Sequence, residues 1–366
     1  VPNLYSLKNL ATLYFRYPEL GKPKELAFEI WEKAWHAGVW SAANFLGYNY
    51  QEEAWLDLPK AIEWLEKGML YCELYSAYEL ALIYLYNDDY KNVERGLMCL
   101  ERCVEGDYIE GIEGLANVYF NGDLVEEDMS RVKQLLEKAL ELGSGNAAYR
   151  LGWMYERGFL SEEPDYVKAM EYYEKAAELD NVDGYCRAAL YLANGYSGVT
   201  DAVKSREYYE KAAGMGSCFA LVELSFLYEN GNGVERSYEK AFELCEKAAQ
   251  EGYPYAMFRV GLYLEKAVLG EAKPEEAFAW YTKAAFHPSF APAANGVTPS
   301  RVFNFLTAST NSSYVVGNVA PALSNIVLLQ NNVIYHENIG VEYNFPSYSN
   351  ADVEPSTILD LTSSVK

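Results

Sequence analysis

The residues with the clearest capacity for chemistry are three histidines and six cysteines, and their spacing argues against a reactive or metal-binding centre. His36, His287 and His336 lie far apart, and none has a nucleophile close to it in sequence. The cysteines form no CxxC pair, so the spacing of a Cys/His zinc site does not occur. They fall among apolar residues, which predicts that all six are reduced core side chains: Cys72, Cys99, Cys103, Cys186, Cys218 and Cys245.

Paired carboxylates are the other candidates, because two acids in one site can act as general acid and general base. The pairs Glu52-Glu53, Glu126-Glu127 and Glu162-Glu163 lie in or near loops or helix starts, where a carboxylate complements the helix dipole. No Gly-rich phosphate loop follows a strand, and neither GxSxG nor HExxH occurs. The sequence therefore predicts no catalytic residue, no metal ligand and no cofactor, and we expect a protein that is not an enzyme.

The chain is strongly acidic, with 53 Asp and Glu residues against 30 Lys and Arg residues among its 366 positions and a net charge of −23. Such a surface repels phosphate backbones, so nucleic acid is not expected as a partner. It attracts a basic protein surface, although solubility alone also explains the charge. The 33 tyrosines argue against a disordered chain.

No run of eighteen apolar residues occurs, so we expect no membrane span and predict a cytoplasmic location. Val1 opens the chain without a Met or a signal-like segment. This beginning leaves open a missing N-terminus that carries a targeting segment.

An internal repeat organises most of the chain. A short phrase recurs at the end of a helical pattern, and it consists of a Glu, a Lys or Arg, and a small residue, with Thr in place of Glu in the last copy. The small residues are Ala34, Gly68, Cys103, Ala139, Ala176, Ala212, Ala248 and Ala284, at steps of 34, 35, 36, 37, 36, 36 and 36 residues. Eight copies in so narrow a range indicate a repeat array, in which each unit packs on its neighbours.

A second phrase precedes the first one in each unit, most cleanly as Ala147, Leu151-Gly152, Tyr155 and Gly158. Offsets of three and four residues put Ala147, Leu151 and Tyr155 on one face of a helix. The small residue after the Leu lets a second helix approach closely, and the Tyr covers the pair. Glycine then follows as a left-handed terminating residue, so each unit is predicted to be a helix, a loop, a helix and a Gly turn.

The pattern A-x-x-x-L-G-x-x-Y-x-x-G, followed by a variable loop and a Y-x-K-A-A-like helix, resembles the Sel1-like repeats, which are relatives of the tetratricopeptide repeats. Tyr173–Ala177 and Tyr209–Ala213 match the second part especially well. The resemblance covers roughly residues 10–285. It implies an all-α fold, a right-handed α/α superhelix (solenoid) of about eight helix pairs, and a role as an adaptor or scaffold in protein complexes.

Two units depart from the pattern. The first has Thr12, Leu13 and Arg16 in its three main columns, so we expect a terminal cap there. The unit at about 77–106 has a short acidic loop, and Cys103 replaces the usual Ala.

The resemblance implies that the first helix of each pair lines the inner, concave surface of the superhelix. Positions two residues before and two residues after the core Leu should then form an aromatic-rich groove, and Trp and Tyr are frequent at binding hot spots. Packing between repeats is the alternative for each of these side chains. The residues predicted to contact a partner are Tyr48, Tyr78, Leu82, Asn117, Tyr149, Trp153, Leu190, Phe226, Phe258 and Leu262.

The composition changes after Ala285, and residues 286–366 hold only seven charged residues. We therefore expect three parts: a repeat solenoid over 1–285, a Pro-containing linker over 286–300, and an Asn-, Ser-, Thr- and Val-rich segment over 301–366.

The last segment is predicted to be extended or partly β. Ile326–Leu329 and Val333–Tyr335 favour strands, and Asn331-Asn332 between them is a candidate turn. Because the segment is apolar and a lone hairpin is marginal in water, we expect it to lie against the solenoid or against a partner. A small separate β unit is the alternative.

These observations favour a non-enzymatic scaffold that binds a protein or peptide partner with a basic or aromatic surface. Two alternatives stay open. One is an enzyme or binder that acts on cell-wall fragments or β-lactams, which the resemblance to cysteine-rich Sel1-like proteins implies. Those proteins pair a Cys in each helix of a repeat, and the cysteines here do not. The other is a structural protein that self-associates through residues 301–366.

Overall fold

The structure is a computed structural model that describes residues 4–52, 56–285, 333–336 and 341–344, and sixteen α-helices account for most of them. The helices are α1 Leu4–Arg16, α2 Lys24–His36, α3 Ala42–Asn49, α4 Leu58–Leu70, α5 Leu74–Tyr86, α6 Val93–Glu105, α7 Ile109–Asn121, α8 Met129–Glu141, α9 Gly145–Glu156, α10 Tyr166–Glu178, α11 Val182–Asn194, α12 Ala202–Gly214, α13 Cys218–Asn230, α14 Tyr238–Gln250, α15 Pro254–Glu265 and α16 Pro274–Ala285. A short 3-10 helix, Pro18–Leu20, follows α1. The odd-numbered helices are the first helices of eight pairs, and the even-numbered ones are the second helices.

Contacts divide the chain into two compact units, Val1–Gly184 and Tyr185–Lys366, and the boundary falls within α11. In the first unit every helix from α1 to α10 packs on its neighbours in sequence. In the second unit α12 packs on α13, α13 on α14, α14 on α15 and α15 on α16. Packing between sequence neighbours is the pattern of a repeat array, and the predicted all-α stack of helix pairs is confirmed.

The small residue after the core Leu does allow a second helix to come close. A Cβ atom placed on Gly152 of α9 would lie 2.8 Å from the ring of Tyr173 on α10. One placed on Gly261 of α15 would lie 2.5 Å from the ring of Tyr281 on α16. Real Cβ atoms do not approach other atoms so closely, so the two rings occupy the space that a side chain on the first helix would need.

The predicted Gly turns are present. Glycines that follow first helices have φ between 70° and 76°, and those that follow second helices have φ between 90° and 96°, all in the left-handed region that only glycine enters without strain. The first group is Gly122, Gly158, Gly195 and Gly231, and the second is Gly38, Gly143, Gly216 and Gly252.

Side-chain caps begin six of the second helices, and these were not predicted. In each case a side-chain oxygen accepts a hydrogen bond from a backbone N–H of the first turn, which satisfies one of the unpaired donors of a helix start. The capping residues are Asp57, Asn92, Asp128, Asp165, Asp201 and Ser237. Ser144 and Ser217 cap the first helices α9 and α13 in the same way.

The prediction that all six cysteines are core residues is wrong for Cys72. Four are buried (Cys99, Cys103, Cys186 and Cys245), Cys218 is half-buried, and Cys72 is exposed. Cys72 has φ of 63° and lies 34 residues after Gly38, so it stands in the turn column and not in a helix. A turn after a helix lies at the surface, which explains its exposure.

Two short strands are the part of the C-terminal segment that the structure describes. Val333–His336 (β1) pairs antiparallel with Val341–Asn344 (β2), with Val333 opposite Asn344 and His336 opposite Val341. The strand predicted at 333–335 is present, and its partner follows it in sequence. Ile326–Leu329, the turn predicted at Asn331-Asn332 and the expected docking of the segment lie outside the described residues.

We predict that Gly261→Ala destabilises the protein by about 1–3 kcal/mol, because its methyl group would displace the buried ring of Tyr281. Urea denaturation of the full chain measures the effect. Gly214→Ala is the matched control. Gly214 ends α12 with open space around the position of a Cβ, so this substitution should stabilise the protein by about 0.5–1 kcal/mol. Equal stability of the two variants would contradict the close approach of α15 and α16.

Candidate partner-binding surface

The residues predicted to contact a partner all lie on first helices, and in the first unit they are at least partly accessible. Tyr48 on α3 is 48% exposed, and Asn117 on α7 is also exposed. The other four in this unit are half-buried: Tyr78, Leu82, Tyr149 and Trp153. Partial burial fits both readings of these positions, since such side chains contact the neighbouring repeat and still present an edge to solvent.

In the second unit one of the predicted residues lies in the core. Leu190, Phe226 and Leu262 are half-buried, but Phe258 on α15 is only 7% exposed. The ring of Tyr281 on α16 lies 5.7 Å from the ring of Phe258 and covers it. We therefore leave Phe258 out and call the other nine predicted positions the first-helix face.

Trp153 is the centre of an aromatic patch on the first-helix face. Its ring centroid lies 5.7 Å from that of Phe120 and 5.3 Å from that of Phe159. Phe159 lies in the loop between α9 and α10 and is 43% exposed. Aromatic groups in mutual contact lose little conformational freedom when a partner covers them, so the patch is suited to binding.

Hydrogen bonds between first helices lie beside these aromatic residues. Ser76 on α5 donates to Asn44 on α3 over 2.5 Å. Ser144 at the start of α9 and Asn146 in its first turn both donate to Glu113 on α7, over 2.5 and 2.6 Å. These polar side chains already have hydrogen-bond partners within the array. Their role is to hold neighbouring first helices together and not to bind a ligand.

A column of charged residues immediately before the core Leu was not predicted. Its charged members are Glu79 on α5 and Arg150 on α9 in the first unit, and Arg187, Glu223 and Arg259 on α11, α13 and α15. From Arg150 onward the spacing is 37, 36 and 36 residues, so the steps that located the other columns also locate this one. A charge that loses water costs free energy unless another group compensates it, so the partners of these residues decide their role.

Arg259 has several partners within the second unit, although its buried Nε atom forms no hydrogen bond with the described residues. Its guanidinium group is hydrogen-bonded to Glu229 on α13 and donates to the hydroxyl oxygen of Tyr263 over 2.8 Å. Tyr263 in turn donates to Glu229 over 3.0 Å. The guanidinium group also lies 3.9 Å from the ring centroid of Phe226, a cation–π contact. This network joins α13 to α15 and is a structural ion pair.

Glu223 occupies the same column one repeat before Arg259, and it has no comparable partners. No hydrogen bond or ion pair joins its carboxylate to any other residue that the structure describes. Loss of water raises the pKa of Glu223 to about 7, and the charge of Arg259 opposes this rise only in part. A carboxyl group in this state is common at functional sites.

Tyr209 on α12 carries a second unsatisfied group in the same unit. In two other repeats the equivalent tyrosine of the second helix donates to a glutamate at the end of the first helix: Tyr173 to Glu156, and Tyr281 to Glu265 over 2.7 Å. The position of that glutamate is Ala193 in the pair α11–α12. Tyr209 is 1% exposed, and its hydroxyl has no hydrogen-bond partner among the described residues.

The described residues offer no metal site and no membrane-crossing helix. No three of their His, Cys, Asp or Glu side chains lie close enough together to hold a metal ion. None of the described helices combines the length and the apolar character that a bilayer crossing requires.

We predict opposite effects of the same substitution at two tyrosines of one column. Tyr209→Phe removes a buried hydroxyl without a partner and should stabilise the protein by about 1–2 kcal/mol. Tyr281→Phe removes a hydrogen bond to a carboxylate and should destabilise it by about 1–2 kcal/mol. Urea denaturation of the full chain measures both. Destabilisation by Tyr209→Phe would contradict the unsatisfied state of its hydroxyl.

We also predict that Glu223→Gln stabilises the protein at pH 8 by about 1–3 kcal/mol and has little effect at pH 5. The pKa of Glu223 in the folded chain, about 7, lies above its ordinary value of 4.5. The folded state therefore holds the proton more tightly, and stability falls as the pH rises from 4.5 to 7. Denaturation curves at both pH values measure the effect. Glu243→Gln, at an exposed position of α14, should show no such dependence.

The family comparison identifies six of the eight predicted repeats. A family model described as the Sel1 repeat matches residues 40–68, 109–144, 145–181, 182–217, 219–253 and 254–285, more than half of the chain. Residues 69–108 are not matched, although they form the helix pair α5–α6. This gap contains the unit with the short acidic loop and Cys103, where the sequence departs from the pattern.

Solved structures of Sel1-repeat proteins share the fold. The protein c5321, a protective antigen of uropathogenic Escherichia coli that displays an SLR fold, is 23% identical over 81% of this chain and 67% of its own, with a TM-score of 0.62. A Sel1 repeat protein from Oxalobacter formigenes is 20% identical over 66% of this chain and 96% of its own, with a TM-score of 0.53. The comparison with curated proteins found no match. The resemblance stated from the sequence is confirmed, and the chain belongs to the Sel1 repeat family.

Proposed function

We propose that the chain is a non-enzymatic scaffold or adaptor that holds a protein or peptide partner on the first-helix face. The observation that carries the proposal is the accessibility of aromatic side chains at repeat-spaced positions of the first helices. Tyr48 is 48% exposed. Trp153 contacts Phe120 and Phe159 but is only half-buried, so part of its ring faces solvent. Partly exposed Trp and Tyr residues on a rigid helical support are typical of binding hot spots.

The charge of the chain suggests the chemistry of the partner. The net charge of −23 favours association with a basic surface and raises the rate of encounter with one. We therefore propose a partner segment with basic and aromatic residues. Sel1 repeat proteins are in general non-enzymatic scaffolds, and no contact among the described residues favours cell-wall chemistry or self-assembly. The cytoplasmic location stays a prediction.

The proposal can be tested by the position of crosslinks. With a photoreactive amino acid at Asn117, exposed on the first helix α7, the full chain should crosslink to a protein partner in cells. The same amino acid at Gln134, exposed on the second helix α8 of the same pair, should give at least tenfold less product. Mass spectrometry of the crosslinked species measures both. Equal yields at the two positions, or product only at Gln134, would contradict binding on the first-helix face.

A further inference from the structure

The second unit places a buried hydroxyl and a desolvated carboxylate at one location between α12 and α13. The ring of Tyr209 lies 6.4 Å from that of Phe219 on α13. Glu223 follows Phe219 by four residues, so it lies one helical turn further along the same face of α13. Burial, and after it the charge of Glu223, raises the pKa of the Tyr209 hydroxyl, as expected for neighbouring groups.

The two groups lack partners for a reason that can be read from the repeat. Where Glu156 and Glu265 end their first helices, α11 has Ala193, so the pair α11–α12 lacks the carboxylate that accepts the tyrosine hydroxyl elsewhere. Glu223 does not replace it, because Tyr209 and Glu223 form no hydrogen bond. Two groups that can accept hydrogen bonds, a carboxylate and a hydroxyl, are thus left without a partner among the described residues.

The nearby cations are already engaged. Arg259 on α15 is hydrogen-bonded to Glu229 and Tyr263, and its guanidinium group lies over Phe226. Arg187 on α11 is buried and also engaged in an interaction of its own. A positive charge from outside the chain would therefore find an unpaired carboxylate here.

We propose that Glu223 and Tyr209 form a pocket for one cationic side chain, lysine or arginine, of the bound partner. The half-buried Glu223 carboxylate is the anionic group of this pocket, and the Tyr209 hydroxyl oxygen is its buried acceptor. The cation donates hydrogen bonds to both oxygens, which satisfies the two groups that the fold leaves unpaired. The inference rests on the proposed function and adds one specific residue type to the partner.

The half-buried state of Glu223 suits this role. An exposed ion pair contributes little free energy, because water screens it, whereas a pair that loses water gains specificity. A long aliphatic side chain with a terminal charge can reach a recessed oxygen while its methylene groups contact apolar surroundings. Lysine and arginine are the side chains with this shape.

Protons should compete with the cation. The groups that act on Tyr209 or Glu223 are Cys186 and Arg187 on α11, Tyr196 in the loop that follows α11, and Arg259 on α15, and Tyr255 on α15 and Cys245 on α14 lie next to them. Burial raises the pKa values of Tyr209, Cys245 and Tyr255 above their ordinary ranges, and Arg187 and Arg259 keep their charge, so none of these five groups changes charge between pH 6 and pH 8. Protonation of Glu223 removes the anion, and cation binding should therefore weaken as the pH falls through 7.

The test uses the full chain and small probes. Nα-acetyl-arginine amide and Nα-acetyl-lysine amide are titrated separately by ligand-observed NMR, at pH 6 and at pH 8. We expect at least one of them to bind at least fivefold more tightly at pH 8, and the comparison of the two shows which cation the pocket prefers. Nα-acetyl-citrulline amide has the shape of the arginine probe without its charge and should bind at least tenfold more weakly.

Two variants complete the design. Glu223→Gln should abolish both the binding of the preferred probe and its pH dependence, whereas Glu243→Gln on α14 should leave both unchanged. Circular dichroism checks that each variant keeps its helices. The proposal is overturned if neither cationic probe binds up to 50 mM (roughly the limit for single-group ligands), if the citrulline probe binds equally well, if binding is tighter at pH 6, or if Glu223→Gln has no effect.

The outcome is separate from that of the crosslinking experiment. Crosslinks at Asn117 without binding of either probe would leave the scaffold function in place and overturn the cation pocket. Probe binding at Glu223 without crosslinks at Asn117 would support the pocket and contradict the partner position proposed on the first-helix face of the first unit.

Discussion

Each helix pair depends on the close contact between a small residue of its first helix and a side chain of its second helix. Gly152 beneath Tyr173 and Gly261 beneath Tyr281 leave no room for a methyl group. A tyrosine at this contact carries its hydroxyl into the interior of the pair, and a buried hydroxyl needs a partner. Glutamate at the end of the first helix supplies that partner for both tyrosines. The packing of the repeat thus imposes a polar requirement on a second position sixteen or seventeen residues away.

The ends of the helices are fixed more locally. A capping Asp, Asn or Ser accepts a hydrogen bond from the first turn of six second helices, and a residue with positive φ ends the pair. These devices act within a few residues, so they hold the boundaries of each helix whatever the neighbouring repeat contains. This local control explains why α5 and α6 form a regular pair in a stretch, 69–108, that the family model does not match.

The same distinction explains what could be predicted from the sequence. Helix pairs, Gly turns and the close contact follow from spacing alone, and all were predicted correctly. Exposure was harder, because it depends on what the neighbouring repeat places over a residue. Phe258 was assigned to the groove, but Tyr281 covers it. Cys72 was assigned to the core, but its column is a turn. The isolation of Glu223 could not be predicted, because it depends on Arg259 being engaged by Glu229 and Tyr263.

A repeat array also makes a functional position easier to recognise, because each unit shows what its neighbours would look like without that function. The pair α11–α12 keeps the tyrosine but has Ala193 where α9–α10 and α15–α16 have its glutamate acceptor, and α13 adds Glu223 without a hydrogen-bonded cation. Packing does not explain either change, since both leave a desolvated group that lowers stability. Natural proteins keep such departures from local rules mainly where an activity needs them. The requirement that a partner's cation satisfies both groups would account for the two changes together.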